Sequence, residues 1–64
     1  MALVKNFPHR MFAEMASKAL EKEGIPSVIF GACGYSDPQG ADLHVKDEHA
    51  ERARQIVSAL FGDL

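Results

Sequence analysis

The stretch that most constrains the fold is residues 24–30, which read Gly-Ile-Pro-Ser-Val-Ile-Phe. Its second half concentrates β-branched and aromatic residues, as buried strands do. Its first half stops a helix, because glycine adopts the left-handed conformation that follows a helix and proline cannot continue one. The stretch therefore predicts a helix that ends at Gly24, followed by a strand. Because side chains alternate along a strand, we expect Val28 and Phe30 to enter the core and Ile29 to face away.

A helical pattern precedes this stretch, from residue 9 or 10 to residue 23. Apolar side chains recur there at three- and four-residue spacing and form one stripe. Arg10 and Glu14 lie on the opposite side, at the spacing of an i,i+4 ion pair. His9 is expected to help cap the helix. The stripe consists of Phe12, Met15, Ala16, Ala19 and Leu20.

The first strand is predicted at residues 3–7, a short apolar run that ends before a proline. A lysine is almost never fully buried without a partner, so Lys5 should point away from the core. Strand alternation then turns Leu3 and Phe7 the same way as Lys5 and turns Val4 inward.

The second half of the chain adds a strand and a helix. Residues 41–45 alternate between apolar and polar, which predicts Leu43 inward and both Asp42 and His44 outward. Asp47 is placed to N-cap the helix that follows. The apolar stripe of that helix consists of Ala50, Ala53, Ile56, Val57 and Leu60.

The element order is β-α-β-β-α in a single domain, residues 1–64. A right-handed β-α-β crossover puts the first helix on one face of the sheet, and the second helix must join it to bury its own stripe. We therefore predict an α+β two-layer sandwich, with a three-stranded, mostly antiparallel sheet in the order 1-3-2 and both helices on one face. This is a ferredoxin-like fold that lacks its fourth strand.

Composition narrows the class of protein. A net charge of −2 argues against nucleic acid, which binds basic surfaces. No apolar run approaches the roughly 18 residues of a membrane span, and the first residues lack the pattern of a signal peptide. A single cysteine excludes an internal disulfide and fits a reducing compartment. We expect a cytoplasmic protein that binds neither membrane nor nucleic acid.

Three segments resemble a family of small bacterial domains. They are Phe7-Pro8, the segment Leu-Glu-Lys-Glu-Gly-Ile-Pro at residues 20–26, and the segment Val-Lys-Asp-Glu-His-Ala-Glu-Arg-Ala at residues 45–53. Domains with similar segments are labelled "putative prokaryotic signal transducing protein" and are of unknown function. The resemblance implies a fold like that of the PII signalling proteins and a regulatory role. It brings no catalytic residues, and family members often differ from this chain at residues 31–40.

Reactive side chains are few. Cys33 as a nucleophile would need a nearby base, for which His44 and His49 are the candidates. The same three side chains could converge with Asp42 on a metal. Their spacing matches neither Cys-x-x-Cys nor His-x-x-x-His, so we predict no enzyme activity, no metal site and no cofactor.

The loop at residues 31–40 is longer than an ordinary hairpin connection and contains three glycines. Loops longer than the connection requires often contain functional residues. The alternative is a flexible connection without a function of its own. Its glycines fit neither the P-loop nor the dinucleotide-binding pattern. If the loop binds a ligand, the candidate residues are Cys33, Tyr35 and Asp37. The alternative function is therefore a small-ligand or metal sensor.

The leading hypothesis is a non-catalytic regulatory or signal-transducing interaction module that binds a protein partner or itself as a homodimer. The binding surface would be the open face, meaning the side of the sheet without helices, or the edge of the first strand. Large apolar side chains among polar ones are typical of a non-obligate interface. The predicted interaction surface consists of Leu3, Lys5, Phe7, Ile29, Asp42 and His44.

Overall fold

The computed structural model describes residues 1–31 and 40–62. Three strands form one antiparallel sheet in the order β1-β3-β2, and two helices pack on one of its faces, which confirms the predicted α+β fold and strand order. A short 3-10 turn, Asp47–His49, precedes the second helix. The elements are β1 (Ala2–Phe7), α1 (Arg10–Lys22), β2 (Ser27–Phe30), β3 (Ala41–Val45) and α2 (Ala50–Phe61).

The central strand β3 follows the predicted alternation. Ala41, Leu43 and Val45 are fully buried against the helices, whereas Asp42 and His44 are half-buried on the opposite face. Because β3 has a strand on each side, its apolar residues lie at the centre of the core.

Strand β1 contains an irregularity that the sequence did not predict. Leu3 pairs with His44, but the next paired residue of β1 is Lys5, which lies opposite Leu43. Val4 is thus an extra residue in β1. A β-bulge of this kind turns every later residue of the strand to the face opposite to the one it would have in an unbroken strand. Phe7 consequently faces the helices and is completely buried.

The prediction that Lys5 and Phe7 lie on the open face is therefore wrong. It assumed an unbroken alternation, in which Leu3, Lys5 and Phe7 share a side. Lys5 instead lies opposite a buried residue and borders α2. Of these three residues, only Leu3 has its predicted facing, with 45% of its surface exposed. Val4 packs against the core, as predicted.

Strand β2 is also reversed relative to the prediction. Ile29 pairs with Leu43 and packs against the core, while Val28 and Phe30 are 40% and 48% exposed. The orientation agrees with the contact at the start of the strand, where the Ser27 and Ser17 hydroxyls lie 2.6 Å apart and join β2 to α1.

Helix α1 ends as predicted. The backbone N–H of Gly24 donates to the carbonyl of Glu21, and that of Ile25 donates to the carbonyl of Leu20, over 3.0 and 2.9 Å. These two bonds, with Gly24 at a φ of +79°, form a Schellman motif. Leu20 and Ile25 are both buried, which supplies the hydrophobic contact that accompanies the motif.

The helix starts differ from the predictions. His9 occupies the N-cap position of α1, but its side chain makes no capping hydrogen bond. Lys46 is the N-cap of the 3-10 turn that leads into α2, so the prediction that Asp47 caps this helix is wrong. A side-chain ion pair of 2.9 Å between Arg52 and Glu23 joins the start of α2 to the end of α1.

Three aromatic rings close one end of the core. The Phe61 ring meets the rings of Phe7 and Phe12 edge-on, with centroids 5.3 and 6.2 Å away. The helical stripes are narrower than predicted, because Met15 and Leu60 are about half exposed. The buried cluster consists of Phe7, Ala13, Ala16, Leu20, Ile25, Ala41, Leu43, Val45, Ala50, Ala53 and Val57.

Phe7 and Phe30 both face opposite to their predicted direction, and together they give a direct test of the fold. Phe7→Ala should lower the free energy of unfolding by about 3–5 kcal/mol, because it empties a fully buried site. Phe30→Ala should cost about 1 kcal/mol or less, because the ring is half exposed. Urea denaturation of both variants measures the difference. Equal costs, or a larger cost for Phe30→Ala, would contradict the facing described here.

Gly40 gives a second test, because a Cβ there would overlap the carbonyl oxygen of Phe7. Gly24 is the matched control, since it has a similar positive φ but no atom within 4 Å of an added Cβ. Gly24→Ala should cost about 1–2 kcal/mol from backbone strain alone. Gly40→Ala should cost at least about 1 kcal/mol more, because the backbone must also shift. Thermal unfolding of the two variants should rank them in this order, and the reverse ranking would show that β1 does not approach residue 40.

Candidate interaction surface

The open face carries two rows of side chains that run across the sheet. In one row, His44 of β3 lies between Leu3 of β1 and Val28 of β2. In the other, Asp42 lies between Asn6 and Phe30. The open face therefore consists of Leu3, Asn6, Val28, Phe30, Asp42 and His44.

Apolar surface dominates the two flanking strands. Leu3, Val28 and Phe30 are 45%, 40% and 48% exposed. Single exposed apolar residues are ordinary, but three on one face without helices form a patch. The patch surrounds the ring of His44, since its two row neighbours are Leu3 and Val28 and the Phe30 ring meets it edge-on with centroids 4.9 Å apart.

His44 has an unusual nitrogen. Its Nδ1 atom is buried and has no hydrogen-bond partner in the part of the chain that the structure describes. Leaving a buried polar atom unpaired costs about 1–3 kcal/mol.

Asp42 supplies the negative charge of the open face. Its Oδ1 accepts a hydrogen bond from the Asn6 side-chain amide, which pairs β1 with β3. A carboxylate oxygen can accept more than one hydrogen bond. Asp42 can therefore hold its cross-strand contact and still receive a donor from outside.

The β1 edge of the sheet is partly occupied by a side chain of α2. Both β1 and β2 are edge strands. On β1, the Arg54 guanidinium of α2 donates a 2.9 Å hydrogen bond to the Leu3 carbonyl. This contact occupies a backbone group that a pairing strand would need, so the open face is a better candidate surface than the β1 edge.

The structure brings together half of the predicted interaction residues. Leu3, Asp42 and His44 lie on the open face, whereas Lys5, Phe7 and Ile29 lie on the helix side. Sequence reasoning missed Asn6, Val28 and Phe30. No local signal identified them, because neither the extra residue in β1 nor the facing of the apolar run in β2 is marked by a glycine or an alternating pattern.

The predicted ligand loop cannot be placed. Cys33, Tyr35 and Asp37 lie outside the described residues. Within residues 1–31 and 40–62, no group of three histidine, cysteine or acidic side chains is positioned to hold a metal ion. Because Cys33 is not among them, the absence of a metal site stays a prediction.

The described helices are all too short or too polar to cross a membrane.

Neither the curated proteins nor the solved structures provide a match to this sequence. One family model does match, over residues 1–60, and its description is "Putative prokaryotic signal transducing protein". Because the match covers nearly the whole chain, the chain belongs to this family.

Proposed function

We propose that this chain is a non-catalytic signal-transducing module that binds another protein through the open face. The observation that carries the proposal is the exposure of Leu3, Val28 and Phe30 on a sheet face that neither α1 nor α2 covers. A signal transducer must contact a further component, and the family description is consistent with such a role. An apolar centre beside polar groups is the usual composition of a non-obligate interface.

The size of the patch favours a transient complex. Full burial of a valine, leucine or phenylalanine side chain stabilises a complex by about 1.5–3 kcal/mol relative to leaving the side chain in water. The three side chains are a little under half exposed, so covering them contributes about 2–4 kcal/mol in total. A millimolar dissociation constant already requires about 4 kcal/mol. The apolar patch alone therefore supports weak binding, and polar contacts must supply the rest.

The polar groups of the open face indicate what the partner offers. Asp42 is a carboxylate, which accepts more than one hydrogen bond. It calls for hydrogen-bond donors on the partner, such as amide, lysine or arginine N–H groups. The partner is thus a protein surface with an apolar centre and at least one donor beside it.

The proposal assigns no catalytic role to the chain, because the family description names signal transduction and no reaction. The alternative of a ligand sensor depends on Cys33, Tyr35 and Asp37, for which the described residues offer no supporting observation.

The test compares two double variants of the chain. Leu3→Thr with Phe30→Thr removes most of the open-face apolar surface and keeps good strand formers. Met11→Gln with Met15→Gln is the matched control, because these methionines are 62% and 50% exposed on α1. A protein captured by the wild-type chain is purified and titrated into each version. Binding should weaken at least about tenfold for the open-face variant and remain unchanged for the control.

The location of binding is checked separately with labelled methyl groups. The Leu3 and Val28 methyl resonances should shift on titration with the partner, and the α1 methionine methyls should not. The proposal fails if the two double variants bind equally well or if the shifts lie on the helices. Concentration-dependent shifts of the same methyls without any partner would identify a second copy of the chain as the occupant.

A further inference from the structure

Lys5 has an unusual position for a lysine. The extra residue in β1 places it opposite Leu43, whose side chain is buried beneath the helices. Lys5 is only partly exposed, and its ammonium has no hydrogen-bond or ion-pair partner within the described ranges 1–31 and 40–62. Bulges often serve to re-aim a side chain at a functional site.

Lys5 borders a recess of about 270 Å³ between β1 and α2, which we call the β1–α2 recess. A second cation, Arg54, lines the same recess, and Ser58 lies one helical turn beyond it. The Arg54 Nη2 donates to the Leu3 carbonyl over 2.9 Å, which fixes the guanidinium at this edge and leaves its other N–H groups available. The lining residues are Val4, Lys5, Arg54, Val57, Ser58 and Gly62.

Among the described residues, those that line the β1–α2 recess carry positive charge only. Two cations border it, and no carboxylate side chain is among the described residues that line it. Glu51 precedes Arg54 by nearly one turn of α2 but does not line the recess. The chain as a whole has a net charge of −2, so this positive site is a local feature and not part of a generally basic surface. Two nearby cations repel each other unless an anion lies between them.

We propose that the β1–α2 recess binds a phosphate group, either as inorganic phosphate or as the phosphate of a small monoester. A phosphate dianion matches the two positive charges, and its oxygens accept hydrogen bonds from ammonium, guanidinium and hydroxyl donors. With a volume of about 270 Å³, the recess has room for a phosphate group and a small organic substituent. This site lies apart from the open face and does not depend on the proposed function.

The competing explanation is that Lys5 lays its aliphatic stem over Val4 and Val57 and binds nothing. Long lysine side chains commonly cover apolar surface while their charge reaches water. In that case the ammonium is solvated and has no preference for a divalent anion over chloride. The two explanations therefore differ in what happens when phosphate is added.

The experiment titrates isotope-labelled wild-type chain with inorganic phosphate and, separately, with glycerol 3-phosphate, at constant pH and constant ionic strength set by sodium chloride. We expect saturable shifts of the Lys5, Ser58 and Gly62 amides and of the Arg54 side-chain N–H. Tighter binding of glycerol 3-phosphate identifies a monoester as the ligand, and tighter or equal binding of inorganic phosphate identifies the free anion.

Lys5→Gln should weaken the affinity for phosphate roughly tenfold, the effect of losing one charge-assisted hydrogen bond. Lys18→Gln is the matched control, because it removes the same charge from the exposed side of α1 and should leave the affinity unchanged. Ser58→Ala gives a second variant on exposed helix surface, where a loss of fold is not expected. Its affinity should also fall. Shifts that fail to saturate, or equal losses in Lys5→Gln and Lys18→Gln, would overturn the proposal.

Discussion

The pairing of β1 with β3 determines the character of both faces of this small sheet. One extra residue, Val4, lies between the paired positions Leu3 and Lys5. The extra residue shifts the alternation by one position, so Lys5 and Phe7 face opposite to Leu3. Phe7 therefore reaches the covered face, where its ring contacts Phe61, and Leu3 remains on the open face. A regular strand with Leu3 in the same position would expose Phe7 and leave the core without its largest buried side chain.

Local signals were sufficient to predict the elements and their order. The end of α1 follows from Gly24 and Pro26, and the alternation of β3 follows from Asp42 and His44 between apolar neighbours. The facing of the outer strands could not be predicted in this way. In β2 three consecutive apolar residues give no alternation, so pairing with β3 and the contact of Ser27 with α1 decide which of them is buried. These are tertiary effects, which override pattern in short strands.

The same constraint explains why only half of the predicted interaction residues lie on the open face. The open face is apolar, as expected, but its apolar residues are Val28 and Phe30 where Phe7 and Ile29 were predicted. The polar residues of β3 were placed correctly. Lys5 lies on the side opposite to the predicted one. Its position beside α2 is the basis for proposing a second, anion-binding surface. A chain of this size can thus present two chemically different surfaces on the two sides of one edge strand.

Phe30 and Leu3 are exposed on one face of the sheet, and Phe7 is buried on the other. Solvent paramagnetic relaxation measures this directly, by adding an inert gadolinium chelate to the labelled protein and following side-chain resonances. We predict strong broadening of the Phe30 ring and the Leu3 methyls, with the Phe7 and Phe61 rings protected and linked by nuclear Overhauser contacts. Broadening of the Phe7 ring together with protection of the Phe30 ring would show that these two side chains have the opposite facing.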